Sequence, residues 1–433
     1  MKFRFLLSAA VAFVMSLAAE AYETGDVVEL TPQLYGKVFS KNGSNHIVEV
    51  YANPDNKPSG ALEIKNMYTV GGDTFTVTMI ATGAFEYSDV TDVTVGAQVY
   101  LVGSRAFLCC TKLTSFVESE PGSVTVINDE AFGYTLKLTE ARFPGAKLVG
   151  EFAFRRSGIA SSTMPEVKEI KAGAFQECQN LVSLNGGAKV ESIGNIAFCN
   201  CPKFTGMTLG PSLAKVGSTT FAFDVELKDM VIPAGQTEAG NSAYQGSGLT
   251  RVFILSDKVM DFCEASMILR HKTITDLYCV NSVIEEVAGF LKNGGSDGDT
   301  SMLTQATPKS IDEVLRLQLT DAENVYEVKM GVEGVTDLHV YDSVSGEEIL
   351  PVDGKYTIAA DNVRLSYYVD AINLIDYVTS REKKDPSAIG EISVEAGEVA
   401  AYYTLSGLRV SEPAEGGIYI CRYKDGTARK MRY

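Results

Sequence analysis

Lys171 to Leu184 reads "KAGAFQECQNLVSL", and a near copy, "GNIAFCNCPKFTGM", follows at Gly194 to Met207, offset by 23 residues. Both carry Ala-Phe, then Cys three residues later, then an apolar residue that opens a strand-like run. The same marks recur at Phe85, Phe107, Phe132, Phe154, Phe175, Phe198, Phe221 and Tyr244, at intervals of 22, 25, 22, 21, 23, 23 and 23. Five positions before each aromatic stand Ile80, Val102, Ile127, Val149, Ile170, Ile193, Val216 and the weaker Ala239. Ala precedes every aromatic except at Thr220, and small residues, Ser88, Cys110, Thr135, Ser157, Cys178, Cys201, Asp224 and Ser247, stand three positions after.

A period of 20 to 29 residues carrying L-x-x-L-x-L is a leucine-rich-repeat signature, which Leu227 to Ile232, "LKDMVI", fits closely. One such unit cannot bury its own apolar face; stacked units bury each other's. The spacing predicts a mainly β solenoid of about eight rungs of 21–25 residues, each aromatic lying over the next. On this reading Cys178 is core filler.

The pattern I-x-x-x-AF-x-x-C-x-x-L resembles the BspA-like leucine-rich repeat family of exported bacterial proteins, over about residues 80 to 255. That resemblance implies a curved solenoid, shown at the cell surface or released, with a role in adhesion to other cells or host proteins.

Residues 1–21, "MKFRFLLSAAVAFVMSLAAEA", have basic Lys2 and Arg4, an apolar run and a small-residue end, the pattern of a secretory signal peptide. Its removal takes away two cations and Glu20, so the formal charge of -17 becomes -17 - 2 + 1 = -18. Nucleic acid and anionic membranes are poor partners for that charge. No later apolar run reaches the length of a spanning helix. The expected location is secreted or cell surface.

Eight cysteines in an exported chain invite a disulfide reading. Cys109 and Cys110 are adjacent, Cys421 is isolated, and Cys110, Cys178 and Cys201 share one repeat position, which favours free buried thiols. A bridge between Cys178 and Cys201 stays open, because neighbouring rungs lie about 4.8 Å apart.

Residues 22–79 read as strands and turns, from "HIVEVYA" through "NPDNKPSG" to "TFTVTMIA", and form an N-terminal β cap over the first rung. The solenoid occupies 80–293 and ends in a short helix, signalled by a capping box at Ser282-x-x-Glu285 with Ile284, Val287, Ala288 and Leu291 at helical spacing. A polar linker spans 294–308, a small β-sandwich-like domain 309–380, and a second linker 381–398. Residues 399–433 form a short C-terminal β unit. Its "LSGLRV", "GIYI" and basic end resemble the sorting tails of some exported Bacteroidetes proteins.

Chemistry is sparse. His46, His271 and His339 fall in three separate regions, so no metal site is expected. Gly294 to Gly298, "GGSDG", matches G-x-S-x-G, yet a nucleophile elbow needs a strand before Ser296 and a helix after it. Here a helix precedes and polar chain follows. The Asp297 and Asp299 pair lacks calcium-loop spacing. The expectation is no enzyme, no catalytic residues, no cofactor and no metal.

Binding is better served. Strand alternation that turns Leu138, Ala141 and Phe143 inward turns Glu140 and Arg142 outward. The same register aligns Asp92 and Thr94, Ser115 and Val117, Ser161 and Thr163, Ser183 and Asn185, Gly206 and Thr208, Asp229 and Val231, then Arg251 and Phe253. Glu140, Arg142, Asp229, Arg251 and Phe253 are the candidate binding residues of this exposed face. A protein partner, from host matrix or another bacterial surface, suits a hydroxylic face without Trp. The alternative is a glycan-binding or capture subunit using tyrosines of residues 309–379.

Overall fold

The eight aromatics form one continuous buried stack in the computed structural model. It describes residues 22–320, 322, 324–381, 399–404, 409–410, 418–423 and 428–432. Phe85, Phe107, Phe132, Phe154 and Phe175 follow one another at centroid spacings of 5.2, 5.4, 5.2 and 5.2 Å with interplanar angles of 18° or less. Phe198, Phe221 and Tyr244 continue the column at 5.2, 5.5 and 5.8 Å. Near-parallel rings at such spacings are offset, which suits their quadrupoles. Phe116, Phe143 and Phe204 reach in from the strand side and pack on the column.

The chain holds each ring in place by backbone bonds to the next rung. The N–H groups of Phe107, Phe132, Phe154 and Phe175 donate to the carbonyls of Ala131, Ala153, Ala174 and Ala197 at 2.7–2.8 Å. Ala is small enough for the ring above to lie against it. Two left-handed residues flank every aromatic, one two positions before and one two positions after. In the Phe154 rung these are Phe152 (φ 54°) and Arg156 (φ 53°), and in the Phe198 rung Ile196 (φ 52°) and Asn200 (φ 62°).

In five rungs the small residue three positions after the ring adds a side-chain donor to an aromatic carbonyl that already accepts a backbone N–H of the turn. The thiols of Cys110, Cys178 and Cys201 donate to the carbonyls of Phe85, Phe154 and Phe175 in the preceding rung at 3.0, 3.0 and 3.1 Å. Thr135 and Ser247 donate instead to the aromatic carbonyl of their own rung, at 2.7 and 2.8 Å. All seven described side-chain thiols are free, including Cys178 and Cys201.

Each rung contributes one strand to each of two parallel rows. The two-residue strands Leu101–Val102, Val126–Ile127, Leu148–Val149, Glu169–Ile170, Ser192–Ile193, Lys215–Val216 and Glu238–Ala239 pair in register, residue for residue. They extend a twelve-stranded sheet that begins with the antiparallel strands Val27–Thr31, Leu34–Asn42 and Asn45–Ala52. The N-terminal segment is thus continuous with the array.

The opposite row, the outer strand face, comprises Ser59–Ile64, Asp89–Val95, Ser115–Glu118, Glu140–Ala141, Ser161–Met164, Ser183–Gly186 and Gly206–Met207. It stops there. Asp229–Ile232 begins a separate four-stranded sheet with Arg251–Ile254, Asp276–Cys279 and Lys309–Ser310.

The helix Val259–Ser266 was not visible in the sequence, since it carries no Ala-Phe mark. Its end accepts the rung ladder: Ser242 and Tyr244 donate to the carbonyls of Ala265 and Ser266 at 2.7 and 3.1 Å. The second helix spans Ile284–Asn293 and ends on Gly294 (φ 80°). Its capping box is not made. Val283 is the N-cap and no side chain caps the helix, so Ser282 sits one residue too early. Thr304 is buried beyond this helix, its N–H on the Leu269 carbonyl and its hydroxyl on that of Ile274, both at 2.9 Å.

The chain divides into two compact units. The first runs to Arg316 and adds 328–350 and 362–379, which supply a three-stranded antiparallel sheet of Val335–Asp342, Asn362–Val369 and Asn373–Ser380. The second comprises 317–327, 351–361 and 380–433. It holds the antiparallel pairing of Val325, Tyr326 and Glu327 with Thr357, Tyr356 and Lys355. It also holds a four-stranded sheet formed by Val399–Thr404, Arg409–Val410, Ile418–Tyr423 and Ala428–Arg432. Residues 1–21, with the signal-peptide reading, and 382–398, most of the second linker, lie outside the described residues, as does the side chain of Cys421.

Candidate binding surface

The outer strand face presents aligned polar side chains over its N-terminal strands. Asp92 and Thr94 are exposed, as are Val117, Ser161 and Asn185, with Ser115, Thr163 and Ser183 half-buried. Parallel in-register pairing fixes them: Asp92 opposes Ser115, Ser161 opposes Ser183, and Thr163 opposes Asn185. Asp92 gathers three hydroxyls, accepting from Ser115 at 2.7 Å, Thr91 at 2.8 Å and Thr114 at 3.0 Å. Those donors hold its carboxyl below the usual carboxylate range, Ser115 contributing most. The site is an ionised, oriented acceptor at neutral pH.

The candidate residues separate along this face. Glu140 lies in the strand row, opposite Ser115 and Ser161, and its side chain is outside what is described. Arg142 is exposed. Asp229 and Arg251 pair in register but are half-buried, their side chains joined through Nε and Nη2 at 3.1 and 2.6 Å. Phe253 is not on the exposed face: it is fully buried and stacked on Tyr278 at 5.4 Å, with the Arg251 guanidinium over its ring. Val231, expected outward, is buried too, and Gly206 with it. Alternation still holds there; what differs is that a later segment of the chain covers the outward side. Residues Ile372 and Asn373 lie against Gly206 and Asp229.

The tyrosines of residues 309–379 are mostly core. Tyr326, Tyr356, Tyr367 and Tyr377 are buried, and burial pushes the hydroxyls of Tyr367 and Tyr377 well up. Only Tyr341 and Tyr368 reach the surface. Arg364 sits over the Tyr341 ring at 4.8 Å while forking onto Asp376 at 2.8 and 3.0 Å.

Ser296 lies in an exposed turn after the second helix, its N–H on Glu264 at 3.4 Å. His339 meets Glu348 at 2.7 Å, so the two members of a would-be hydrolase pair have other partners. Among the described residues no group of three His, Cys, Asp or Glu side chains is placed to hold a metal ion. Among them, too, no helix is long and apolar enough to cross a membrane.

Residues 73–157 and 147–266 match the BspA type leucine rich repeat region, in six copies. The solenoid is a BspA-type repeat array. Among solved structures it is similar to a leucine-rich repeat protein from Bacteroides ovatus, with 19% identity over 58% of this chain and 76% of that one, at a TM-score of 0.40. It is also similar to a leucine rich cell surface protein from Faecalibacterium prausnitzii (16% identity, 66% and 99% of the chains, TM-score 0.25). The pneumococcal vaccine antigen PcpA shows 15% identity over 67% and 99% at 0.29. No curated protein matches the chain. Within the BspA-type array, sequence reasoning missed the covering segment, because its contacts join residues 119 and 144 positions apart.

Proposed function

We propose that this chain is an exported bacterial surface protein, without enzymatic activity, whose outer strand face binds a protein partner. The observation that carries the reading is the in-register row of exposed polar side chains from Asp92 to Asn185, held on a rigid, fully stacked core. Such a surface is preorganised, so little ordering cost falls on binding. The signal-peptide pattern at residues 1–21 and the match to a repeat family support display outside the cytoplasm.

The test uses residues 22–433, immobilised and probed with host matrix proteins and with neighbouring bacterial cells. Saturable binding is expected, and it should weaken about tenfold, about 1.4 kcal/mol, when Asp92, Arg142 and Asn185 are changed together to alanine. Binding that is absent, or indifferent to those three changes in a protein of unchanged melting temperature, would remove the reading. A glycan array run beside it addresses the alternative, for which Tyr341 and Tyr368 are the remaining surface tyrosines. Binding that is lost in Tyr341→Ala would favour that alternative.

A further inference from the structure

The strand row breaks between Gly206–Met207 and Asp229–Ile232, and a turn of the same compact unit lies at the break. That turn, Asp370–Asn373, joins the strands Asn362–Val369 and Asn373–Ser380 through two consecutive left-handed residues, Asp370 (φ 52°) and Ala371 (φ 63°). Three of its side chains address three features of the strand face. The Asp370 carboxylate pairs with Arg251. The Asn373 amide donates to Asp229 at 3.3 Å. The Ile372 side chain points at Gly206, where its Cδ1 would stand 3.3 Å from any Cβ.

Each feature departs from the rest of the row. Gly206 stands where other rungs carry Asp92, Ser115, Ser161 and Ser183, and it has φ 140°, open to few residues but glycine. A glycine inside a strand marks close approach by another group. Asp229 and Arg251 form an in-register ion pair across the first two strands of the four-stranded sheet that follows the break, and it is half-buried. Arg251 is shared between two carboxylates, Asp229 and Asp370, which uses the planar fork of a guanidinium as a lysine could not.

We propose that Gly206, on the last strand of the outer strand face, and Asp229 and Arg251, on the first two strands of the sheet that follows it, form a recognition site that the turn at 370–373 occupies in cis. Release of the turn opens the site to a protein segment of the same chemistry: a carboxylate, an aliphatic side chain two residues on, then an amide. The turn acts as a built-in competitor. The contact is partly exposed, Asp370 showing half its side chain to solvent, so added salt weakens it. Its consequence for adhesion rests on the proposed role of this face; release of the turn does not, and it is read separately.

Hydrogen exchange with mass spectrometry, on the whole chain from residue 22, tests this. In Ile372→Gly and in Arg251→Ala, amides of 206–208 and 229–232 should exchange at least tenfold faster than in the parent, while those of Asp89–Val95 stay unchanged. The unchanged control segment and a retained cooperative melt exclude general unfolding. In the parent, raising salt from about 50 to 500 mM should speed exchange at the same amides. A cyclic hairpin peptide of residues 364–376, added to Ile372→Gly, should restore slow exchange at 206–208, and its Asp370→Asn version should need about tenfold more peptide. Unchanged exchange in both variants overturns release. Faster exchange that saturating peptide does not reverse overturns recognition and leaves ordinary packing. Loss of partner binding at Asp92 to Asn185 bears on neither outcome.

Discussion

Asp224 occupies the position that other rungs give to Ser, Thr or Cys, and it is the poorest fit in the column. It is fully buried; one oxygen accepts the Cys201 N–H at 2.8 Å and the other has no partner. Burial holds its carboxyl well above the usual carboxylate range. A raised folded pKa means that the protonated form suits the fold, so stability is fullest below the unfolded value, about 3.9, and falls as pH rises through the folded one. Asp224→Asn keeps the acceptor for Cys201 and removes the charge. It should stabilise the protein at pH 7 by about 1–3 kcal/mol in urea denaturation, with the gain shrinking toward pH 4. A constant gain across that range would contradict the assignment.

Ile196 holds a left-handed backbone (φ 52°) that a β-branched side chain disfavours. Ile196→Asn should therefore raise the melting temperature, by an amount equivalent to about 1 kcal/mol. These left-handed positions were illegible in the sequence because only Gly83, Gly173 and Gly246 mark them with glycine. Elsewhere the rung-to-rung hydrogen bonds compel the conformation, so Arg, Glu, Phe, Ile and Thr stand there without a common chemical sign.

The rung was legible because a parallel, in-register stack demands the same side chain at the same place in every copy. Each ring's environment is supplied by the neighbours on either side. Phe175→Ala, in the middle of the column, should cost about 3–5 kcal/mol. It should also split denaturation into two phases, since a stack with nearest-neighbour coupling is cut at its weakest junction. Phe85, at the start of the column, should cost less when truncated. The thiols give a second readout. Cys110, Cys178 and Cys201 are enclosed, and burial raises Cys263 to about 11 and Cys279 to about 12. Native alkylation should spare these five and reach Cys109 and Cys199 first, with the five modified only in denaturant. A shortfall of two at Cys178 and Cys201 under denaturing, non-reducing conditions would reveal a disulfide.

What the sequence could not disclose was which parts of the surface the chain itself covers. Strand parity turned Phe253 outward correctly, yet Tyr278 stacks on it and Arg251 lies across it. Parity is local, whereas cover depends on where a turn more than a hundred residues later comes to rest. The helix start failed for a related reason: Ser282 and Glu285 have capping spacing, but the first helical turn forms one residue on. The candidate face was therefore readable from Asp92 to Asn185 and misread from Gly206 onward. Any partner would meet a surface shortened at that end, so contacts at Arg142 and Asn185 should outweigh those at Asp229 in an alanine scan of binding.

Each aromatic N–H of the column points to the carbonyl just before the next aromatic, an alanine except at Thr220, and the last one, that of Tyr244, reaches a helix end at Ser266. A ladder of identical, same-handed joints has no preferred length until something different terminates it. Excising 23 residues, from Gly173 to Asn195, would bring Ala172 directly before Ile196 and Phe154 beside Phe198, with every joint re-formed. Such a shortened protein should still fold, and genes of this kind can gain or lose a storey by unequal recombination without redesign of the floors above or below.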